Sequence, residues 1–258
     1  MIIIKLSMKN EEIYQNKNQN ILENNSNIGK YNSNENNDYK YESEVLNFSP
    51  EFKDFDINFK IIVIGNSGVG KTCITNQAVK NIFINNHQAT IGMEIFTLFL
   101  RINKKIIKFQ IWDTCGEETY RSLVTNFYRS TSLAILVYSI DKRDSFGDLD
   151  LWIKELRLNN SPDTKLVLVG NKLDLENNRQ IQYNEGKQLA EDYGFADFFE
   201  TSAKTGENIK KMFLKIGNIL YDEYIKYSED SNKKYNAFKE DKYQLRRKTK
   251  GKPKKKCC

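Results

Sequence analysis

A glycine-rich segment, Gly65-Asn66-Ser67-Gly68-Val69-Gly70-Lys71-Thr72, constrains the fold of this chain more than any other feature. It matches the pattern G-x-x-x-x-G-K-[ST] in full, and it stands between a β-branched apolar run, Phe59 to Ile64, and a helical pattern that begins at Lys71. The glycines let the backbone turn tightly, so that successive N–H groups point inward at phosphate oxygens. A chance glycine turn is the alternative, and the strand–helix context argues against it. The segment predicts a phosphate-binding loop (P-loop).

Two side chains at the end of this loop are of the types that nucleotide chemistry needs. Lys71 carries a cation that can reach the β- and γ-phosphates, and the Thr72 hydroxyl is a ligand for Mg²⁺. The dipole of the helix that starts here also favours an anion. We therefore predict that the backbone from Gly65 to Thr72, together with the next residue, Cys73, binds the phosphates.

The choice of base is indicated by two short strings near the ends of predicted strands. In the first, Asn171-Lys172-Leu173-Asp174, the carboxylate of Asp174 is an acceptor only, and it can pair with the guanine N1–H and 2-amino group, which adenine lacks. In the second, Thr201-Ser202-Ala203-Lys204, a backbone N–H can bind the guanine oxygen. Together they favour GTP and oppose an ATP-driven motor or a nucleic-acid enzyme. The predicted base site comprises Asn171, Lys172, Asp174, Ser202, Ala203 and Lys204.

Alternating strand and helix patterns predict an α/β domain over residues 57–227. We expect a three-layer domain of the P-loop NTPase type, with helices on both faces of a mostly parallel six-stranded sheet. A hairpin around Asn103 adds one antiparallel edge strand. Helices are predicted over Lys71–Val79, Phe146–Leu158, Asn184–Tyr193 and Asn208–Tyr227.

The flanking segments have a different composition. Residues 1–56 are rich in Asn, Glu, Lys, Tyr and Ser without apolar period, which predicts a disordered extension, either inert or a partner-binding arm. Residues 228–258 read as a flexible tail with a basic end. The net charge of +6 is mild and concentrated near that end, so it does not indicate nucleic-acid binding. No run approaches the ~18 to 20 apolar residues of a membrane span. The four cysteines form no disulfide framework, which suits a reducing cytosol.

On these motifs the chain resembles the Ras superfamily of small GTPases, and within it the Rab family, from Phe59 to about Tyr227. The resemblance implies that Thr90 senses Mg²⁺ and the γ-phosphate in switch I, that Phe83 stacks on guanine, and that Asp113 stands behind the metal. It implies that Gly116 senses the γ-phosphate where switch II begins. GTP then holds both loops, and hydrolysis releases them. The Rab-like strings are Ile91-Gly92-Met93-Glu94-Ile95, Lys108-Phe109-Gln110-Ile111-Trp112-Asp113, Glu118-Thr119-Tyr120-Arg121-Ser122 and Leu136-Val137-Tyr138.

The same resemblance implies a function: a GTP/GDP switch in vesicle trafficking and intracellular protein transport that hydrolyses GTP with Mg²⁺. It implies an exchange factor, a GTPase-activating protein, a prenylation escort, a GDP-dissociation inhibitor, and effectors that read three apolar residues. These three residues can equally be core packing. The implied catalytic residues are Lys71, Thr90, Gly116 and Glu117; the metal residues are Thr72, Thr90 and Asp113; the effector-reading residues are Ile95, Trp112 and Phe127.

The chain departs from the family pattern W-D-T-A-G-Q-E, since it has W-D-T-C-G-E-E. Cys115 for Ala is a small apolar change. Glu117 for Gln removes the amide donors that help orient the attacking water, and it adds negative charge beside a polyanion. We expect slow intrinsic hydrolysis, with a constitutively GTP-bound binding module as the alternative. Glu117 can also be a solvent-facing residue of little effect. An activating protein that supplies an arginine, worth ~10³ to 10⁵ in rate, would still permit regulated turnover.

The last residues, Cys257 and Cys258, follow a basic run that ends in Lys254, Lys255 and Lys256. This ending resembles the Rab double-cysteine signal, which takes two geranylgeranyl groups. One lipid chain gives only marginal membrane residence, whereas two give stable anchoring, and basic residues add attraction to an anionic leaflet. A solvated tail or a nuclear address is the alternative. We expect the protein in the cytosol and on the cytoplasmic face of an intracellular membrane.

Overall fold

The computed structural model describes residues 39–46, 54–84, 90, 92–116, 127–161 and 163–250, with side chains up to residue 229 in the last range. The predictions for Glu117, for the two terminal cysteines and for most of residues 1–56 lie outside this part of the chain. Within it, no helix combines the length and apolarity that crossing a membrane requires.

The core of the fold is one sheet of seven strands in the order β1-β3-β4-β2-β5-β6-β7. Strands β2, β4, β5, β6 and β7 run parallel to one another, whereas β3 pairs antiparallel with both β1 and β4. The strands are β1 (Ser43–Leu46), β2 (Ile57–Ile64), β3 (Met93–Ile102), β4 (Lys105–Thr114), β5 (Leu133–Ser139), β6 (Lys165–Asn171) and β7 (Asp197–Thr201).

Helices cover both faces of this sheet, so the predicted three-layer α/β fold is confirmed. Alternate residues of β2 face opposite layers: Ile61 and Val63 pack in the cluster beneath α1 and α5, and Ile62 and Ile64 in the cluster beneath α3 and α4. The helices are α1 (Lys71–Lys80), α2 (Arg143–Gly147), α3 (Leu149–Asn159), α4 (Tyr183–Asp192) and α5 (Ile209–Lys250), with a 3₁₀ helix at Leu173–Asn178.

The predicted hairpin is confirmed between β3 and β4. Its two turn residues, Asn103 and Lys104, have φ of 47° and 68°. Both lie in the left-handed region that a two-residue hairpin turn demands, and Asn tolerates it well. The turn fixes the register of the two strands, and with it the position of Asp113 near the end of β4.

The prediction of six strands, and of disorder throughout residues 1–56, is wrong at one segment. Residues 43–46 form β1, which pairs with β3 from Ile102 to Phe99, so that β3 is not the edge strand. Tyr41 anchors this segment: its N–H donates to Asn218 Oδ1 at 3.1 Å and its hydroxyl to Asp222 Oδ1 at 3.0 Å. The order of this segment thus depends on helix α5, far along the chain.

The helical predictions need two further corrections. Residues 228–250, which were predicted to belong to a flexible tail, are part of helix α5, which ends at Lys250. After Gly217 the sequence has neither glycine nor proline before Gly251, so nothing local ends the helix sooner. The predicted helix Phe146–Leu158 is instead two helices, α2 and α3, which meet at Asp148.

Candidate functional site

The P-loop lies between β2 and α1, as predicted. Its three glycines, at positions 65, 68 and 70, all have positive φ, at 141°, 75° and 97°. A Cβ on Gly65 would lie 2.1 Å from the carbonyl oxygen of Val137, so this close approach to β5 requires glycine. Gly70 precedes α1 and offers no side-chain cap. The first backbone N–H groups of α1 are therefore available to bind an anion.

Lys71 is buried inside the loop that it follows. Its Nζ donates to the carbonyl oxygens of Gly65 and Asn66, both at 2.8 Å. Burial lowers the pKa of this ammonium to about 8, although the nearby Asp113 acts in the opposite direction. The loop thus surrounds one cation with little solvent, which is the environment in which attraction to phosphate is strongest.

The three residues predicted to serve Mg²⁺ meet at one point. The Thr72 hydroxyl lies 2.5 Å from Asp113 Oδ2 and 2.8 Å from the Thr90 hydroxyl. Asp113 is fully buried at the end of β4. Hydroxyl and carboxylate oxygens are hard ligands, and Mg²⁺ prefers such donors together with phosphate oxygens and water. The residues present therefore fit Mg²⁺ as this site's metal.

Gly116 lies directly against the P-loop and Lys71. A Cβ there would lie 2.3 Å from Lys71 Nζ and 2.5 Å from the carbonyl carbon of Asn66. Its neighbour Cys115 is buried and donates its N–H to the carbonyl oxygen of Gly92 at 2.9 Å. The chain after β4 is therefore tied to the chain before β3. Any side chain at position 116 would displace the lysine or the P-loop.

Asn171 connects the P-loop with the predicted base site. Its Nδ2 donates to the Val69 carbonyl at 2.9 Å, and its Oδ1 accepts from the Thr201 hydroxyl and the Ala203 N–H, both at 3.2 Å. Because Asn171 is buried, these bonds have no competition from water. One side chain thereby joins the end of β6 to the P-loop and to the segment that follows β7.

Asp174 faces the second of these loops. Its Oδ1 accepts from the Ser202 hydroxyl at 2.6 Å, and Lys204 Nζ lies 3.8 Å from its Oδ2. The carboxylate side chain is only 14% exposed. Lys172 adopts a left-handed φ of 70°, and its Nζ lies 3.6 Å from Asp141. The two predicted base-binding strings therefore form one cluster, with an acceptor in a sheltered position.

The other predicted phosphate and base residues differ in how far they are exposed. Ser67 and Gly68 are exposed at the tip of the loop, and Cys73 is half-buried in α1, where burial raises the pKa of its thiol. Phe83 is half-buried beyond the end of α1. Among the described residues, no hydrogen bond or ring contact joins it to the base cluster.

Sequence reasoning missed two residues that contact the P-loop. Asp148 and Trp152, at the start of α3, both bond the side chain of Asn66. A tryptophan on the buried face of a helix needs a partner for its indole N–H, and the polar residue of a glycine-rich loop is a candidate. The sequence therefore indicates that the indole N–H needs a partner, but it does not indicate which residue is that partner. The identity of the partner depends on the packing of α3 beside β5.

The three residues assigned to effectors differ in exposure. Ile95 on β3 is 50% exposed, so core packing is ruled out for it. Trp112 and Phe127 are half-buried, with ring centroids 5.8 Å apart, and both pack against the core cluster beneath α3 and α4. Lys60 Nζ stands 4.0 Å above the Trp112 ring. These residues form a partly exposed apolar strip, since Ile95 pairs with Trp112 across the two strands and Trp112 contacts Phe127.

Comparison with known proteins gives two findings. A family model described as the Ras family matches residues 60–222. A relative, the Ras-related protein Rab-19 of Xenopus laevis, is 43% identical over 172 residues, which are 67% of this chain and 81% of the relative. The matched region includes the P-loop, the residues around the metal position and the base cluster.

Proposed function

Because this chain belongs to the Ras family of small GTPases, as a Rab member, we propose that it acts as a membrane-attached switch in vesicle traffic whose unaided GTP hydrolysis is slow. The observation that carries the nucleotide-binding part of this proposal is the convergence of the P-loop, the Mg²⁺ residues and the base cluster around the ends of β2, β4 and β6. Each set would bind a different part of a Mg²⁺–GTP complex: the phosphates, the metal and the guanine.

The roles of the side chains follow from their positions. Lys71 would neutralise charge on the β- and γ-phosphates, and Asp174 would accept hydrogen bonds from guanine. The Thr72 and Thr90 hydroxyls and Asp113 would hold Mg²⁺, which when bound offsets the negative charge that develops on the phosphates. Gly116, which has no side chain to meet the lysine, would let the γ-phosphate reach Lys71. Loss of that phosphate would free the loops that carry Thr90 and Gly116.

Slow hydrolysis is inferred from position 117, which directly follows Gly116 in the sequence. A glutamine at this position can both accept from the attacking water and donate to the transferring phosphoryl group. Glu117 offers acceptors only, and it would add negative charge beside a triphosphate that is already negatively charged, which disfavours the transition state. We infer that the GTP-bound form persists until a partner completes the site.

The test is single-turnover GTP hydrolysis by the full-length protein with Mg²⁺, wild type against Glu117→Gln. We expect the variant to be faster by at least about tenfold, equivalent to about 1.4 kcal/mol of activation free energy. The matched control is Glu191→Gln, which removes an exposed carboxylate from α4 and should leave the rate unchanged.

Three outcomes separate the candidates. A faster variant supports a slow switch, and equal, measurable rates would make position 117 incidental and the protein an ordinary cycling switch. No turnover by either protein, with or without a Rab-type activating protein, would favour the second candidate, a constitutively GTP-bound binding module. The presence of Glu117 is the observation that favours this GTP-bound binding module as the second candidate.

Membrane attachment and partners complete the proposal. The terminal cysteines and the lysines before them support double geranylgeranylation, which requires an escort and permits extraction by a GDP-dissociation inhibitor. The partly exposed strip of Ile95, Trp112 and Phe127 supports recognition by effectors. Exchange and activating proteins would then set the fraction of the protein that carries GTP.

Replacing both terminal cysteines, Cys257→Ser with Cys258→Ser, is expected to abolish binding to membranes. The protein would be geranylgeranylated in vitro and sedimented with vesicles that contain phosphatidylserine. Wild type should sediment, and each single-cysteine variant should bind reversibly because one chain gives only marginal residence. Equal sedimentation of the double variant would contradict the lipid anchor and leave the basic run as the binding element.

A further inference from the structure

The side chain of Asn66, the second residue of the P-loop, is held at both of its polar atoms. Its Nδ2 donates to Asp148 Oδ2 at 2.5 Å, and its Oδ1 accepts from the indole N–H of Trp152 at 2.8 Å. One partner can only accept and the other can only donate, so the orientation of the amide is fixed. Both partners come from the start of α3, and Trp152 is fully buried.

The backbone of Asn66 is in contact with the catalytic side of the site. Its carbonyl oxygen accepts from Lys71 Nζ at 2.8 Å. Gly116 lies so close that a Cβ on it would be 2.5 Å from both the Asn66 carbonyl carbon and the Ser67 nitrogen. A shift of this loop by half an ångström would therefore change its spacing to both Lys71 and Gly116.

We propose that Asp148 and Trp152 are positioning residues for the nucleotide, acting through Asn66 to hold the P-loop in its binding geometry. A loop built of glycines loses much conformational freedom when it closes on phosphates. Contacts that fix it beforehand remove part of that cost and slow release of the ligand. Neither residue belongs to the nucleotide-binding motifs. The inference rests on the proposed function only for guanine-nucleotide binding, and it is independent of the hydrolysis rate.

The polarity of the Asn66–Asp148 bond allows a reversal test. Asn66→Asp would place two carboxylates against each other, although the indole of Trp152 would keep its acceptor. Adding Asp148→Asn would restore the bond with donor and acceptor exchanged. A purely structural role for the bond predicts a loss of stability without a change in nucleotide release. A positioning role predicts that release itself is accelerated by the single change and slowed again by the pair.

The experiment loads full-length protein with fluorescent N-methylanthraniloyl-GDP and follows its displacement by excess GDP. We expect Asn66→Asp to raise the dissociation rate by about ten- to a hundredfold, the range for loss of a hydrogen bond to a charged group. The double variant should return to within about threefold of wild type. Trp152→Phe, which removes only the N–H donor and one ring, should raise the rate by about tenfold.

The matched control is Asp150→Asn on the same helix, since Asp150 accepts from the Tyr193 hydroxyl at 2.6 Å, away from the P-loop. Its release rate should equal that of wild type. Denaturant unfolding of each variant gives the stability for comparison. If Asn66→Asp loses stability while its release rate is unchanged, or if the double variant releases GDP as fast as the single one, the proposal is overturned. Failure of the wild type to bind the nucleotide would instead overturn the proposed function.

Discussion

Asp174→Asn is expected to change the base preference of this protein from guanine nucleotides to xanthine nucleotides. The carboxylate only accepts hydrogen bonds, and it suits the N1–H and 2-amino donors of guanine. An amide offers one acceptor and one donor, and xanthine presents a carbonyl where guanine has the amino group. Ser202 donates to one carboxylate oxygen of Asp174, but the side chain is sheltered, so the wrong base would leave its remaining acceptor positions without donors.

The affinity for GDP should fall by about 10³-fold or more, while that for xanthosine diphosphate rises, as measured by competition against a fluorescent nucleotide. The Ser202 hydroxyl can still donate to the amide oxygen, so the cluster should remain folded. Asp192→Asn, at the end of α4, is the matched control, and its preference should stay with guanine. Retention of GDP affinity by Asp174→Asn would show that another group reads the base.

Lys71→Met should reduce nucleotide affinity by at least about 10²- to 10³-fold, since it removes a buried cation and its bonds to charged phosphate oxygens. Methionine keeps a similar length and volume, so the packing beneath the P-loop changes little. Equilibrium binding of fluorescent GDP with Mg²⁺ gives the measurement. Lys154→Met, an exposed change on α3, serves as the control. An affinity within tenfold of wild type would contradict the role assigned to Lys71.

The pKa of Lys71 is about 8 in the ligand-free site, so nucleotide affinity should also depend on pH. Phosphates stabilise the protonated form, so the pKa in the complex must be higher than 8. Below pH 8 the lysine is already charged and affinity should be constant with respect to this group. Above pH 8 binding requires uptake of one proton, so affinity should fall towards tenfold per pH unit. Lys71→Met should lack this fall.

Much of the site could be predicted because its chemistry is carried by short strings that follow strands. The residues from Gly65 to Thr72 specify both a turn and a ligand, and Asp174 specifies a base, without reference to distant parts of the chain. Continuous apolar runs such as Leu133 to Tyr138 identified the central strands, since such runs suit strands that are covered on both faces. The fold class followed from the alternation of strand and helix.

What the sequence did not reveal depends on contacts between distant residues. The four residues of β1 carry no pattern that distinguishes them from the polar segment around them. Their order depends on Tyr41 meeting Asn218, which is 177 residues away. The partners of Asn66 were hidden for the same reason, since local propensity says nothing about which helix lies beside a loop. Helix α5 extends beyond its predicted end because the polar residues after Tyr227 include neither glycine nor proline before Gly251, and polar composition alone does not end a helix.

Strand β1 also determines which residues form the outer border of the sheet beside β3. A bare strand edge presents rows of unpaired N–H and C=O groups and invites pairing with a strand from another chain. Residues Ser43 to Leu46 pair with that edge of β3 from Phe99 to Ile102, from within the same polypeptide. Arg101 and Glu44 form an ion pair across the join, which adds charge to the new outer border. This border of the sheet is thereby a strand of only four residues, and short, charged edge strands offer little for another chain to pair with. A shortened chain that begins at β2 would leave residues 99–102 of β3 uncovered.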